Sequence, residues 1–441
     1  MLNTLKNALK IKDIRKRIIF TFMILIVVRL GSQLPTPGVD SALFSSWFSS
    51  ITDNAGGALD FLNAMTGGSL GNLSILALGI NPYITSSIIM QLLTIAIPKL
   101  EEMQKEGEDG RKKIREITRY VTVALALLEG GAMAYSFYRS GYLYFNSLLG
   151  VIMVTVVLTA GSAFLMWAGE QITENGVGNG ISMVLLFNII ARLPQDFQKL
   201  YDIFIAGATN IVTGTMAAII IICVLLFMVV FVVYLQGGER RIPVQYSKKV
   251  VGRKMLGGQS THIPLKVNTA GVIPIIFASS LMSIPSIVIN LLGKSPTGVW
   301  GHIVSAMNSN NWCVPSAPWY SIGLLVYIVL VVFFAYFYTS ITFNPIEVAD
   351  NMKKQGGFIP GIRPGKPTVD YLVKILNNII FIGALGLVII AFIPFFFSGV
   401  FTASVSFLGT SLIIMVGVIL ETLKQVESLM LVRHYKGFLN E

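Results

Sequence analysis

Ten stretches of this chain are each long enough and apolar enough to cross a lipid bilayer, which restricts its fold before any motif is considered. They cover residues 18–35, 75–98, 119–138, 147–169, 180–198, 211–235, 270–292, 319–343, 375–397 and 405–430. About 20 mostly apolar residues in a helix span about 30 Å of hydrocarbon, where each backbone amide must be paired within its own segment. Hydrophobic residues make up 54% of the 441 and charged residues 12%, leaving more apolar surface than a water-soluble core can bury. The expectation is an all-α polytopic membrane protein with ten transmembrane helices. No small-residue cleavage site follows the basic N-terminal segment, so the first helix reads as an anchor.

Lys and Arg gather in short loops on the cytoplasmic side of a membrane. Here they alternate between loops: Lys6, Lys10, Lys12 and Arg15 to Arg17 before the first stretch, then Lys99, Lys105, Arg111 to Lys113, Arg115 and Arg119 after the second. The same side takes the loops after the sixth and eighth stretches and the C-terminal end, whereas the opposite side holds only Arg139, Arg192, Lys199 and Lys294. Both termini are therefore expected in the cytoplasm, and most of the +11 net charge is this topological bias.

The stretch 58–74 (ALDFLNAMTGGSLGNLS) is too short and too rich in Gly, Asn, Ser and Thr to span, yet it runs into the second helix from outside. It reads as a half-helix, whose Asn63, Thr66, Ser69 and Asn72 can face water if it lies in a funnel, as the resemblance given below implies. An internal echo divides the chain. Gly79-Ile-Asn-Pro-Tyr-Ile84 and Gly271-Val-Ile-Pro-Ile-Ile276 share G-x-x-P-x-I, each near the start of the second helix in a group of five. Five helices is an odd number, so a second group must enter from the other side. The expectation is two pseudo-symmetric inverted halves, 1–205 and 206–441, with a functional path at their interface.

Two cytosolic loops, 236–268 and 344–374, are longer than topology requires. They are basic and punctuated by Gly and Pro, which suits docking to something large and acidic. Arg240, Arg241, Lys248, Lys249, Arg253, Lys254 and Arg363 are the docking candidates.

Several long segments carry a resemblance: ALGINPYITSSIIMQLL, KEGEDGRKKIREITRY, FLMWAGEQITENGVGNGIS, QSTHIPLKVNTAGVIPIIFASS, FNPIEVADNMKKQGGFIPGIRPG and GTSLII. Spread in order over nearly the whole chain, they resemble the SecY family, the channel-forming subunit of the bacterial protein translocase. The resemblance implies a protein-conducting channel in the bacterial cytoplasmic membrane that passes unfolded secretory polypeptides and releases hydrophobic segments sideways into lipid. It implies that 58–74 is a re-entrant plug, with Gly67, Gly68 and Gly71 as its hinge. Carried over by motif, the pore ring falls on Ile80, Ile84, Ile181, Leu185, Ile276 and Ile414, where a branched apolar collar would exclude water by dewetting. The lateral gate would run between helices two and seven, at Thr85, Ser86, Ser87, Ser279, Ser280 and Ser283, small or hydroxylated residues that allow close but breakable packing. The implied partners are the small subunits SecE and SecG, the ATPase SecA, the translating ribosome and signal-sequence-bearing polypeptides.

Other chemistry is thin. Gly293-Lys294-Ser295 resembles the end of a phosphate-binding loop, but Val288 stands where the earlier glycine is required. Gly176-Val-Gly-Asn-Gly180 follows a membrane helix and reads as a turn opening helix five. His262, His302 and His434 lack metal-ligand spacing, and no disulfide is expected between Cys223 and Cys313. Glu129, mid-depth in helix three, is an ionisable group in a costly position, expected to face a polar partner or stay protonated, or else to be reached by water from the channel. A secondary transporter with inverted repeats is the rival reading, but it would place coupling charges at the midplane, and only Glu129 and Arg29 come near. An integral-membrane enzyme would need a nucleophile, metal or acid–base cluster. No cofactor is expected.

Overall fold

The computed structural model describes residues 9–46, 48, 63, 65–145, 147–202, 205, 211–246, 249–251, 254–256, 260–292, 298–308, 311–314, 317–401 and 410–437. The long helices are α1 Lys12–Gly31, α2 Asn81–Ala96, α3 Glu108–Ser140, α4 Leu148–Asn175, α5 Gly180–Tyr201, α6 Ile211–Gly237, α7 Ile273–Leu292, α8 Ile322–Thr342, α9 Lys366–Phe401 and α10 Thr410–Gly437. One overlaps each apolar stretch. Among the described residues five helices are long and apolar enough on their own to cross a membrane, or six if the bent pair Asn81–Thr94 and Pro98–Gln104 forms one span.

Helix ends follow local chemistry. The 33-residue α3 begins after Gly107 (φ +86°) with Glu108 and Asp109 in its first turn, and it closes at Arg139 and the left-handed Gly141 (φ +75°). Acidic groups at the start and a basic group at the end complement the helix dipole, and a left-handed glycine is the usual stop. The second helix differs from expectation. It starts at Asn81 and not at residue 75, because 66–80 is a run of turns. It stops at Ala96, and the next short helix leaves it at 104°, because Pro98 has no N–H and forces Ile97 out of the helical region.

Small residues govern the packing of α3. Thr118, Thr122, Ala126, Gly130 and Ala134 recur every fourth position, and all are buried. Such a stripe lets neighbouring helices approach closely, and α2 and α4 pack on it. The opposite face, with Leu128 and Tyr135, is exposed. The largest apolar cluster joins residues of both halves, from Leu25 and Val28 of α1 through Ile275 of α7 to Ile413 and Val418 of α10.

The two long basic loops are folded where they are described. Strand β1 (Glu239–Tyr246) pairs antiparallel with β4 (Ser260–Lys266), in register Ile242↔Ile263, and β2 (Lys249–Val251) pairs with β3 (Lys254–Leu256). On its other edge β1 takes β5 (Gly357–Phe358) from the second loop, through Gln245↔Phe358 and Tyr246↔Gly357. Ile242 and Val244 alternate inward, as a half-buried strand requires. They share a core with Ala349 and Met352 of the helix Pro345–Lys354 and with Leu372 of α9.

Candidate functional site

The starts of α2 and α5 position four of the predicted ring residues. Gly79, at φ +62°, turns the chain so that Ile80 becomes the N-cap of α2, and Ile84 follows one turn later on the same face. At α5 the Asn179 carboxamide oxygen accepts from the backbone N–H of Ile181 (3.2 Å) and Ser182 (3.4 Å), and Gly180 donates to Thr173 Oγ1 at 2.9 Å. The GVGNG segment is therefore a capping turn, which starts the helix so that Ile181 and Leu185 lie one turn apart.

With Ile276 of α7 and Ile414 of α10, these side chains belong to one apolar cluster: Ile80, Leu185 and Ile414 are buried, and Ile84, Ile181 and Ile276 pack against them half-buried. Met65, from the segment ahead of α2, is 3% exposed in the same cluster.

That segment, described at 63 and 65–74, is held by its own polar groups. The Asn63 carboxamide oxygen accepts from the Gly71 N–H at 2.9 Å, its backbone carbonyl from the Gly68 N–H at 2.8 Å, and Thr66 Oγ1 from the Leu70 N–H. Asn63, Thr66 and Ser69 are consequently buried, against the expectation that they face water, and only Asn72 is exposed. Short polar side chains here substitute for missing helical hydrogen bonds. Ser69 Oγ is buried without a hydrogen-bond partner. Gly67 and Gly68 take positive φ, +68° and +86°. Gly71 does not; a Cβ there would meet Asn63 at 3.0 Å and Phe48 at 3.3 Å, so it is a close-packing glycine. Two contacts reach the segment from neighbouring helices: Arg29 Nη1 donates to the Gly67 carbonyl at 2.8 Å, and Asn188 Nδ2 to the Met65 carbonyl at 3.2 Å. Sequence reasoning passed over Asn188, although a carboxamide within the apolar run of α5 was a visible signal.

Between α2, α7 and α8 lies an apolar cavity lined by Ile88, Gln91, Leu92, Phe277, Phe334 and Phe337, with Phe277 and Phe334 stacked at 5.1 Å. On this seam Thr85 is exposed and Ser87 half-buried. Ser279 donates to the Tyr327 hydroxyl of α8 at 3.5 Å. The side chains of Ser280 and Ser283 lie outside the described set. Ser86 points elsewhere: fully buried, it bonds Thr122 Oγ1 and the Thr118 carbonyl on α3. It belongs to the α2–α3 contact, where the small-residue stripe of α3 offers its hydroxyl partners.

Arg240 and Arg241 are exposed on β1, and Arg363 is exposed in the second loop. Lys249 and Lys254 sit on the β2–β3 hairpin, whereas Lys248 and Arg253 lie outside the described residues. Arg241 pairs with Glu239 at 2.6 Å, and that hydrogen bond and charge hold the Glu239 carboxyl below its ordinary range. Glu129 is exposed on α3. Cys223 and Cys313 are free, and among the described residues no cluster of His, Cys, Asp or Glu could hold a metal ion.

Comparison with known proteins gives a consistent result. Residues 74–423 match the family model SecY. The chain is 43% identical over 450 residues to a protein translocase subunit SecY of Halalkalibacterium halodurans and 44% over 452 residues to one of Streptomyces scabiei, each match covering 100% of both chains. Among solved structures it is similar to a protein-conducting channel (TM-score 0.63, 18% identity, 94% of this chain and 92% of that one). It is also similar to Sec61 in a canine ribosome–channel complex from the endoplasmic reticulum (TM-score 0.61, 17% identity, the same coverage).

Proposed function

Since the chain belongs to the SecY family, we propose that it is the protein-conducting channel of a translocase and that its constriction is the collar of Ile80, Ile84, Ile181, Leu185, Ile276 and Ile414. One observation supports this reading: side chains from four helices, far apart in sequence, belong to a single large apolar cluster that also contains Met65. An apolar constriction cannot replace an ion's hydration shell, so it seals when empty, and flexible branched side chains can part around a polypeptide of any sequence.

In this reading ten helices span the bacterial cytoplasmic membrane as two inverted halves with both termini inside. Residues 58–74 form a plug whose hinge is the left-handed pair Gly67 and Gly68, with Gly71 packed within it, and hydrophobic segments leave between α2 and α7. Thr85, Ser87, Ser279, Ser280 and Ser283 border that exit. Unfolded secretory chains arrive from the ribosome or SecA, which dock on Arg240, Arg241, Lys248, Lys249, Arg253, Lys254 and Arg363; SecE and SecG complete the complex. The joined loops support one docking platform, because β5 brings the second loop against the first. A transporter is not favoured: a pore that must pass many sequences has no use for a coupling charge.

The test is ion conductance of the purified protein in planar bilayers, with and without residues 58–72. Frequent large openings in the deletion and a quiet wild type are expected. If neither conducts, and an added secretory chain opens no current, the assignment of the pore path fails.

A further inference from the structure

Arg29 lies at the end of α1 that the loop charges place outside, where a cation runs against the topological bias. Its guanidinium is half-buried, and its 2.8 Å hydrogen bond to the Gly67 carbonyl is charge-assisted. The second contact comes from Asn188, 4% exposed on α5, whose Nδ2 reaches the Met65 carbonyl. The two acceptors are two residues apart on the segment, and the two donors come from different helices.

We propose that Arg29 and Asn188 form a clamp that seats the plug over the collar. This rests on the channel reading above and adds the residues that set how tightly the channel closes. Both donors address backbone carbonyls, so the grip depends on the path of the main chain and tolerates variation in plug side chains. The geometry also separates two neighbouring glycines. Gly67 is pressed against Asn188, where a Cβ would lie 3.2 Å from backbone and side-chain atoms, whereas Gly68 has nothing within 4 Å. Gly67 is the gripped point, and Gly68 is the position left free to pivot. Release leaves no stranded charge, because water entering the vacated place accepts from Arg29. At these two contacts the closed state is favoured by the difference between carbonyl and water as acceptors, a bias on the order of tenfold per contact. Both donor helices lie in the first half of the chain, so separating the halves at the α2–α7 seam does not by itself break the clamp.

The experiment compares wild type, Arg29→Gln, Arg29→Lys, Asn188→Leu and the 58–72 deletion in planar bilayers. In parallel, Ser69→Cys is labelled with a membrane-impermeant maleimide added from outside, in a background carrying Cys223→Ala and Cys313→Ala. Ser69 is 1% exposed while the segment is seated. Arg29→Gln and Asn188→Leu should each raise the open probability and the Ser69→Cys labelling rate by on the order of tenfold, with Arg29→Lys returning both toward wild type. Should Arg29→Gln fail to fold, Asn188→Leu, which keeps the branched shape and removes the donor, decides alone. Quiet channels and unchanged labelling in both variants, beside a conducting deletion, overturn the clamp and leave the plug standing. A deletion that stays closed overturns both.

Discussion

Gly79 and Gly271 hold the same left-handed backbone conformation, φ +62° and +63°, each two residues ahead of a long helix that carries proline in its first turn. The shared G-x-x-P pattern is thus a shared turn. In both places glycine reverses the chain and proline, whose missing N–H has no partner in a first turn anyway, starts the helix. The surroundings differ: a Cβ on Gly79 would lie 2.7 Å from Thr66 Cγ2, while one on Gly271 would meet nothing within 4 Å.

The two positions should therefore respond unequally to alanine. Each substitution incurs about 1–2 kcal/mol for the left-handed backbone, and Gly79→Ala adds a clash worth about 1–3 kcal/mol. Thermal unfolding of the purified protein should show the larger drop for Gly79→Ala, accompanied by leak. Equal shifts would mean that residue 66 does not press on the start of α2.

Ser69→Ala should tighten the seal. A buried hydroxyl without a partner costs about 1–3 kcal/mol, and Ser69 Oγ is one. The variant should unfold at a higher temperature and show fewer spontaneous openings; a lower midpoint would reveal an acceptor for that hydroxyl.

Gly169→Ala should disturb the collar from behind, since its Cβ would lie 2.9 Å from Ile181 Cγ1 and 3.4 Å from the Ile181 nitrogen. The expected loss is about 1–3 kcal/mol, with increased ion leak. Gly131→Ala is the control, because its Cβ would make an ordinary 3.8 Å contact with Thr155, and it should match wild type in both assays.

Cys313 lies outside the membrane helices at φ +58°, and burial pushes its thiol up from the ordinary range. Raising the pKa removes thiolate at neutral pH, so alkylation should be slow there and accelerate only at a pH above that at which an unfolded cysteine accelerates. Rate against pH measures the displacement, and a profile matching the unfolded protein would exclude it. Cys313→Gly should leave stability unchanged or raise it, because glycine holds positive φ without strain.

Much of this was readable from the sequence, and the misses share a cause. Apolar length alone located the long helices among the described residues, and the Gly79 and Gly271 turns were visible as a pattern. The outcome was different wherever a residue had a choice of partner. Ser86 looked like a seam residue until the stripe of Thr118 and Thr122 supplied its hydrogen bonds. Asn63 and Thr66 looked water-facing until local backbone amides took up their oxygens. The alternation of Ile242 and Val244 is a strand signature, yet the partner strand at 357–358 belongs to another loop, and spacing within one segment carries no record of such a pairing.

That pairing makes the two long loops a mechanical linkage. The first residue of β1 follows the end of α6 by a single glycine, and β5 leads through a short turn into α9. Tyr246 and Gly357 fit so tightly that a Cβ on the glycine would lie 2.8 Å from the tyrosine ring. Arg240 and Arg241 therefore do not sit on an isolated loop; the sheet that carries them ties the end of α6 to the segment leading into α9.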